Sequence, residues 1–458
     1  MKNKSIIETL PETMAGLDIG TTKIAVVVGS KGPDGKIDIH GYGKAESTGI
    51  QHGLIYNLNK TTDGINAAKE MTLTRCNLEI DSVYVGVAGR HIKSIEYKHT
   101  FTRINGKDKI IQQEEIDDVL KDLKNISINL GEEIISVIPQ RFVIDRCRET
   151  SEPVGEVGEV IDGYFQIMTG NAAEIRKIVR CVRDANLGVK KIILEPIASG
   201  LSCLSHEEKK NGVIMIDIGG GTTDVAIFMD REPVFVRVIP IGGDVITNDI
   251  ATLCKVPEET AEKLKTTYGT CIVEKSNSNN YITIPQLHAL NPIQISEASL
   301  ARIIHARVQE GILNEVKAAI EKSGYAGRVK SGIVLTGGGA TLKHLKELFQ
   351  YSFNCSVRMG IPEMGFVTGI PAELKQPMYS TGLGLLKYGI EQDKQIVIEI
   401  PEESESGFFW KSKAEKPKDN EKPEKKSKKE RPSFRGHFDG FFDTFSDFLN
   451  DLLKKTEA

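Results

Sequence analysis

A chain of 458 residues with 40% hydrophobic and 27% charged content has the composition of an ordinary globular protein, with apolar residues enough for the cores of two to four domains. A formal charge of −4 and a pI near 6.2 exclude a global electrostatic pull toward nucleic acid. Seven scattered cysteines without a Cys-x-x-Cys pair exclude a disulfide framework or a zinc site and predict buried thiols, the first twelve residues lack the apolar core of a signal peptide, and no run approaches the eighteen apolar residues of a membrane span.

In chain order, the first informative stretch is Gly16-Leu17-Asp18-Ile19-Gly20-Thr21-Thr22-Lys23, followed by an apolar strand over 24–28, a turn over 31–36 and a strand over 37–42. Strand, carboxylate, glycine, hydroxyls, strand is the pattern of a hairpin that can wrap an anion. Glycine permits positive φ and removes Cβ atoms, so backbone N–H groups converge on a phosphate while threonine hydroxyls add further bonds. A helix is predicted over 61–74 and a strand over 82–87. Between 88 and 168 the pattern changes to a polar strand (94–104), an acidic amphipathic helix (112–126), an apolar strand (134–138) closed by Pro139, and a Gly- and Pro-rich loop (153–158). That set predicts a small inserted α/β subdomain. A helix over 172–186, a strand over 191–194 and a helix over 198–204 return the chain to its first domain.

The hairpin pattern then recurs as Asn211-Gly212-Val213-Ile214-Met215-Ile216-Asp217-Ile218-Gly219-Gly220-Gly221-Thr222-Thr223-Asp224, with strands over 225–228 and 233–239. Internal duplication of one anion-binding unit predicts two similar α/β domains facing each other across a nucleotide. A largely helical stretch over 245–324 interrupts the second domain as the earlier insert interrupts the first. A strand over 332–335 ends in Thr336-Gly337-Gly338-Gly339-Ala340 and a helix, and 379–389, rich in small residues, predicts a closing helix packed closely on another.

From 401 the composition shifts. Residues 411–435 hold eleven Lys or Arg against five acidic residues, with three prolines, and are expected to form a disordered linker. In 436–455, Phe438, Phe441, Phe442, Phe445, Phe448, Leu449, Leu452 and Leu453 fall in one arc of roughly 140° at about 100° per residue, the pattern of an interfacial amphipathic helix, the alternative being a partner-docking helix laid in a groove. Asp439, Asp443, Asp447 and Asp451 line its polar face, so the helix itself is not drawn to anionic headgroups by charge.

Asp18 and Asp217 occupy equivalent positions in the two copies, where facing carboxylates can orient the water shell of Mg²⁺. Paired hairpins of this type resemble those of the actin, Hsp70 and sugar-kinase superfamily. The resemblance implies ATP and Mg²⁺ as cofactors, with Asp18 and Asp217 holding the metal through water. It implies Gly20, Thr21, Thr22 and Lys23 on one side of the phosphates, and Gly219, Gly220, Gly221, Thr222 and Thr223 on the other. Gly337, Gly338 and Gly339 resemble the adenosine turn, although His344 stands where relatives commonly have glycine. Glu262 and Lys265 match a pair that contacts adenine and ribose in Hsp70-like relatives; the alternative is a solvated helix face carrying a charge pair. Glu195, before Pro196 at a strand end, matches the residue that orients the attacking water and could accept its proton.

Further stretches are more specific: Val85-Gly86-Val87-Ala88-Gly89-Arg90-His91-Ile92, Val137-Ile138-Pro139-Gln140 with Pro153-Val154-Gly155, Thr247-Asn248-Asp249-Ile250-Ala251, and those over 333–339 and 379–383. In these the chain resembles the bacterial cell-division FtsA family. The resemblance implies an α/β fold, duplicated and actin-like (ribonuclease H-like), with two domains around a nucleotide cleft and two inserted subdomains. It divides the chain into subdomain 1A (13–80, 167–205 and 379–395), the insert 1C (81–166), 2A (206–243 and 326–378), the insert 2B (244–325), the linker (396–435) and a membrane-targeting helix (436–455). It also implies self-polymerisation, binding of the tubulin-like FtsZ through 2B, contact with other division proteins through 1C, no nucleic-acid partner, and a peripheral place on the cytoplasmic face of the membrane at the septum, with slow ATP hydrolysis or none. Two rivals share the superfamily. A pilus-assembly component would lack the terminal amphipathic helix. A small-molecule kinase would need an acceptor pocket with its own catalytic base, and the phosphate motifs stand without one.

Overall fold

In the computed structural model, residues 13–76, 78–103, 109–284, 292–366 and 370–391 are described. The expected linker and the helix carrying Phe438 to Leu453 lie outside the described residues. The first hairpin, β1 (Thr13–Ile19) and β2 (Lys23–Lys31), continues antiparallel into β3 (Ile37–Glu46). Leu17, Ile19, Ile24, Val26 and Val28 are buried, the expected state for β-branched strands covered on both faces. Two short strands, β4 (Ile50–Gln51) and β5 (Leu54–Ile55), lead into helix α1 (Leu58–Cys76), which buries Thr61, Ile65, Ala68 and Thr72 against the sheet. Strand β6 (Ser82–Val87) then lies parallel to β1.

The predicted insert is β7 (Lys93–Thr102), α2 (Gln113–Leu123), β8 (Glu132–Ile144), β9 (Arg148–Thr150) and β10 (Val160–Asn171), a separate antiparallel sheet in the order β7-β10-β8-β9. Helix α2 buries Ile116, Val119, Leu120 and Leu123, one face at helical spacing, and Glu115 caps its start through the Gln112 N–H while pairing with the buried Arg103. One expectation fails here: Pro139 does not close the strand, which runs on to Ile144. A register shift at Gln140 absorbs the proline, and β9 pairs only with Phe142 to Ile144, so no partner on that edge needs the missing Pro139 N–H. The shifted Gln140 donates its side-chain amide to the Pro233 carbonyl, tying the insert to the second domain.

Helix α3 (Ala172–Asp184) and β11 (Gly188–Leu194) complete the first sheet in the order β11-β6-β1-β2-β3. Helix α4 (Glu195–Cys203) starts three residues before the predicted position, because Pro196 in its first turn needs no N–H partner. A short α5 (His206–Asn211) leads to β12 (Val213–Ile218), β13 (Thr223–Met229) and β14 (Glu232–Ile239). The second insert comprises α6 (Gly243–Cys254), α7 (Glu258–Tyr268), a hairpin of β15 (Tyr281–Ile284) and β16 (Ile293–Ser296), and α8 (Glu297–Arg307), which runs through a π-helical stretch into α9 (Asn314–Ser323). Strand β17 (Ile333–Thr336), α10 (Leu345–Phe353), β18 (Val357–Met359) and α11 (Ser380–Glu391) close the fold.

The second sheet has the order β14-β13-β12-β17-β18, strand for strand the arrangement of the first: one antiparallel meander followed by two parallel strands. The duplication read from two hairpins therefore extends over ten strands. Four of the cysteines are buried, as expected, but Cys147 is exposed in the β8–β9 turn, and all seven thiols are free. Among the described residues no helix is long and apolar enough to cross a membrane.

Helices α4 and α11 cross between the two sheets with their backbones in contact. A Cβ on Gly384 would strike the Ala198 carbonyl, and one on Gly16 would lie 2.7 Å from the Gly382 carbonyl. Gly384→Ala is expected to destabilise the protein by about 1–3 kcal/mol or more through overpacking, read as a lower denaturation midpoint in urea.

Candidate functional site

The two hairpins are built alike. In the first, the Gly20 N–H donates to the Lys23 carbonyl at 3.0 Å; in the second, the Gly219 N–H donates to the Thr222 carbonyl at 2.9 Å. Gly20-Thr21-Thr22-Lys23 thus corresponds to Gly219-Gly220-Gly221-Thr222, and the two Thr-Thr pairs do not correspond. Thr223 is consequently the first residue of β13, fully buried, with its hydroxyl donated to the Ile241 carbonyl at 2.7 Å. It alone among the residues expected at the phosphates lies outside the cavity.

All the others expected there line one cavity of about 330 Å³: Asp18, Gly20, Thr21, Thr22, Lys23, Glu195, Asp217, Gly219, Gly220, Gly221, Thr222, Glu262, Lys265, Gly337, Gly338 and Gly339. That volume is within the usual range of small-molecule sites. The hairpin tips meet at its floor, where a Cβ on Gly220 would collide with the Thr22 hydroxyl and one on Gly221 would lie 2.5 Å from the Thr21 hydroxyl. Across the cavity, Gly337 has φ +85°, and a Cβ there would run into the Asp217 carboxylate; Gly338 faces open space, its nearest neighbour being Met378 at 3.8 Å.

Glu262 and Lys265 on α7 form a charge pair with one largely buried member, the Glu262 side chain being 47% exposed. The Lys265 ammonium is 2.6 Å from Glu262 and also donates to the Gly243 carbonyl at 2.9 Å and the Thr247 hydroxyl at 2.7 Å, with its side chain only 11% exposed. His344 takes the backbone conformation of the glycine it stands for, φ +63°, at the start of α10, and its Nδ1 is 2.7 Å from the Thr270 hydroxyl. That bond supplies a reason for a side chain at a position where the backbone favours glycine.

The charge balance is lopsided. Asp18, Glu195, Asp217 and Asp224 share the cavity with Lys23, which is ion-paired to Asp18. Burial pushes Asp217 up to about 6; the Ser199 hydroxyl and Lys23 oppose the rise and the charge of Asp18 adds to it. Burial also drives Glu195 and Asp224 well above the carboxylate range, reinforced by Asp18, Asp224 and Asp217 around Glu195 and by Asp217 beside Asp224. Asp224 Oδ1 is buried without a hydrogen-bond partner. A group of repelling carboxylates with an unsatisfied oxygen fits a hard divalent cation, which relieves the repulsion. Among the described residues no three His, Cys, Asp or Glu side chains stand close enough to enclose an ion, so the fit is to a cation that keeps much of its water.

Asp224 is the residue that sequence reasoning missed. It pairs in register with Asp217 across the hairpin, whereas the equivalent partner of Asp18 is Ala25. The signal was present as the Asp that ends the second motif, seven residues after Asp217. Asp244, in the first turn of α6, was missed too; it lines the cavity, and its N–H donates to the Gly220 carbonyl at 2.8 Å.

Two like-ordered sheets around a cleft, with glycine hairpins and carboxylates at its floor, define the actin-like class of fold. Solved structures agree: the PilM-PilN type IV pilus biogenesis complex matches with a TM-score of 0.59 at 16% identity over 82% of this chain and 98% of that one, and MreB5 of Spiroplasma citri bound to ADP with 0.50 at 14% over 84% and 98%. A family model described as "Cell division protein FtsA" matches residues 214–384, and another described as "SHS2 domain inserted in FTSA" matches residues 89–169. The cell division protein FtsA of Pseudomonas aeruginosa is 34% identical over 379 residues, covering 83% of this chain and 89% of that protein. The chain belongs to the FtsA family of actin-like cell-division proteins, which separates it from the pilus-assembly and small-molecule-kinase readings.

The desolvated charge of Asp217 has a measurable cost. With a folded-state value of about 6 against an ordinary carboxylate near 4, ionised Asp217 destabilises the cation-free protein by about 3 kcal/mol at pH 8. A raised carboxylate value means that the folded state holds the proton longer, so this penalty is full above pH 7 and fades as pH falls through 6 toward 4. In buffer with EDTA and no nucleotide, Asp217→Asn is expected to melt higher than the unsubstituted protein at pH 8, with the gap narrowing by pH 5; thermal melts across this range check it.

Proposed function

We propose that this chain is an ATP-binding cell-division protein that polymerises and tethers FtsZ filaments to the inner face of the cytoplasmic membrane. The observation that carries the nucleotide reading is the convergence of both glycine hairpins, the buried carboxylates Asp18 and Asp224 and the half-buried Asp217 on one cavity. In this reading the backbone of Gly20 to Lys23 and of Gly219 to Thr222 binds the phosphates, Lys23 adds its charge, and the Gly337–Gly339 turn with Glu262 and Lys265 takes the nucleoside. Asp18 and Asp217 would hold Mg²⁺ through water, and the ion when bound supplies the positive charge that the carboxylates and phosphates lack. The ADP-bound MreB5 relative of the same fold is consistent with a nucleotide here.

Glu195 stands at the start of α4, in the cavity wall, where burial favours its protonated form. It can accept a proton from water only once the negative charge around it is offset, which ties hydrolysis to a loaded cleft and favours slow turnover. The division into 1A, 1C, 2A and 2B at the expected boundaries is part of the proposal, with 2B as the FtsZ-binding insert and 1C as the surface for other division proteins. Support for membrane attachment comes from the sequence of 436–455, whose apolar arc is five-eighths phenylalanine. A single such helix with aspartates on its polar face is a weak anchor; a filament presents many and gains avidity.

Gly220→Asp is expected to abolish binding of a fluorescent ATP analogue, since its side chain would meet the Thr22 hydroxyl and bring a carboxylate to within reach of Asp244 in a site meant for phosphate. Analogue affinity equal to that of the unsubstituted protein would remove the second hairpin from the site. Phe445→Glu, or truncation after Arg435, is expected to abolish liposome flotation with nucleotide affinity unchanged, while the unsubstituted protein floats in proportion rising steeply with its concentration. Full flotation of the truncated chain would refute the anchor.

A further inference from the structure

One side chain behind the cavity is not explained by packing. Ser199 lies on α4, fully buried and outside the cavity lining. A serine inside a helix ordinarily points to solvent or bonds back to a carbonyl of the preceding turn, and alanine is the better helix former. Ser202, one turn on, shares its proton between the Ser199 carbonyl at 3.1 Å and the Ser380 carbonyl at 2.7 Å. The Ser199 hydroxyl instead donates to Asp217 Oδ2 at 2.7 Å. Its oxygen is also 3.0 Å from the Thr381 hydroxyl of α11. Because the single Ser199 proton goes to the carboxylate, Thr381 must be the donor to Ser199, which makes an ordered chain Thr381 to Ser199 to Asp217. Hydrogen bonds in such chains strengthen one another. Thr381 stands 3.5 Å from the same carboxylate oxygen, too far for more than a weak direct bond.

Asp217 is held on its other side as well, with Oδ1 against Gly337, where a Cβ would strike it. One carboxylate orientation is therefore set jointly by α4, by α11 and by the turn after β17, three elements that meet only in the assembled fold.

We infer that Ser199 is a positioning residue for Asp217, relayed by Thr381, and that it orients this carboxylate toward a hydrated Mg²⁺ accompanying a nucleotide. The inference rests on the Mg²⁺–nucleotide reading of the cavity given above. Hydrogen-bond partners that orient a metal-holding group typically contribute 10–100-fold in metal affinity. The effect of Ser199 belongs to the metal alone, since its hydroxyl is donated to Asp217 from behind the cavity lining, whereas Thr381 itself lines the cavity.

The test is titration of the full-length chain with a fluorescent ATP analogue, once in EDTA and then at increasing Mg²⁺. Ser199→Ala is expected to raise the Mg²⁺ concentration for half-maximal tightening about tenfold and to leave affinity in EDTA unchanged. Ser199→Ala with Thr381→Val should raise it further. Ser202→Ala serves as the comparison: its hydroxyl sits in the same cluster and bonds the Ser380 carbonyl at 2.7 Å, but does not touch Asp217. It should leave the Mg²⁺ dependence where it was. An unshifted midpoint in Ser199→Ala, an equal shift in Ser202→Ala, or an equal loss with and without Mg²⁺ would each overturn the positioning role. Absence of any analogue binding by the unsubstituted protein would instead remove the nucleotide reading, and binding indifferent to Mg²⁺ would remove the metal part of it; this inference falls with either.

Discussion

The interaction on which the rest of this structure depends is the mutual repulsion of carboxylates crowded at the bottom of the cleft, two of them buried and two half-buried. Asp18 comes from the first sheet, Asp217 and Asp224 from the second, and Glu195 from the helix that leaves the first; Lys23, paired with Asp18, offsets only part of their charge. Desolvation alone would favour protonation of such a group, and each neighbour adds to that tendency. A positive charge arriving there would relieve the repulsion. The cleft is therefore held together by its walls rather than by its contents.

Those walls are close-packed for a reason. Glycines at the hairpin tips let Gly220 and Gly221 approach Thr22 and Thr21, and Gly384 lets α11 lie on the backbone of α4. The two hairpin contacts join one half of the molecule to the other at glycine-sized points, while the Gly384 contact locks two helices of the first half together. The hydroxyl cluster of Ser199, Ser202, Thr336, Ser380 and Thr381 fills the same junction with hydrogen bonds in place of apolar volume. Satisfied polar networks of this type define one geometry more sharply than an apolar interface of equal size.

The inserts hang on this frame without altering it. The four-stranded sheet with α2 has its own apolar core around Phe142, Phe165 and Leu123, and reaches the second domain through Gln140. The helical insert shares the core of the second sheet, with Ile250, Leu264, Ile304 and Ile312 packed beside Ile216 and Ile227. The second insert also bonds the chain beside the cavity, where Thr270 meets His344, and holds Lys265 in the cavity wall on the Gly243 carbonyl.

Much of this was legible in the chain itself. The glycines and aspartates of the two hairpins betray the duplication because a turn that approaches an anion requires those residue types locally. Strand and helix positions follow from alternation and helical spacing for the same reason, except where Pro139 sits in a strand whose register shift no local pattern reveals. What only the tertiary structure decided is which neighbours of a motif belong to the site. The superfamily resemblance puts Thr223 at the phosphates, yet pairing of β12 with β13 makes the turn four residues long, turning Thr223 into the core and Asp224 into the cavity. Ser199 joins Asp217 although nothing in the spacing between them announces a contact. Strand register and helix crossing are settled by contacts far apart in sequence, and a side chain that points into a site across such a contact leaves no periodic trace in the chain that carries it.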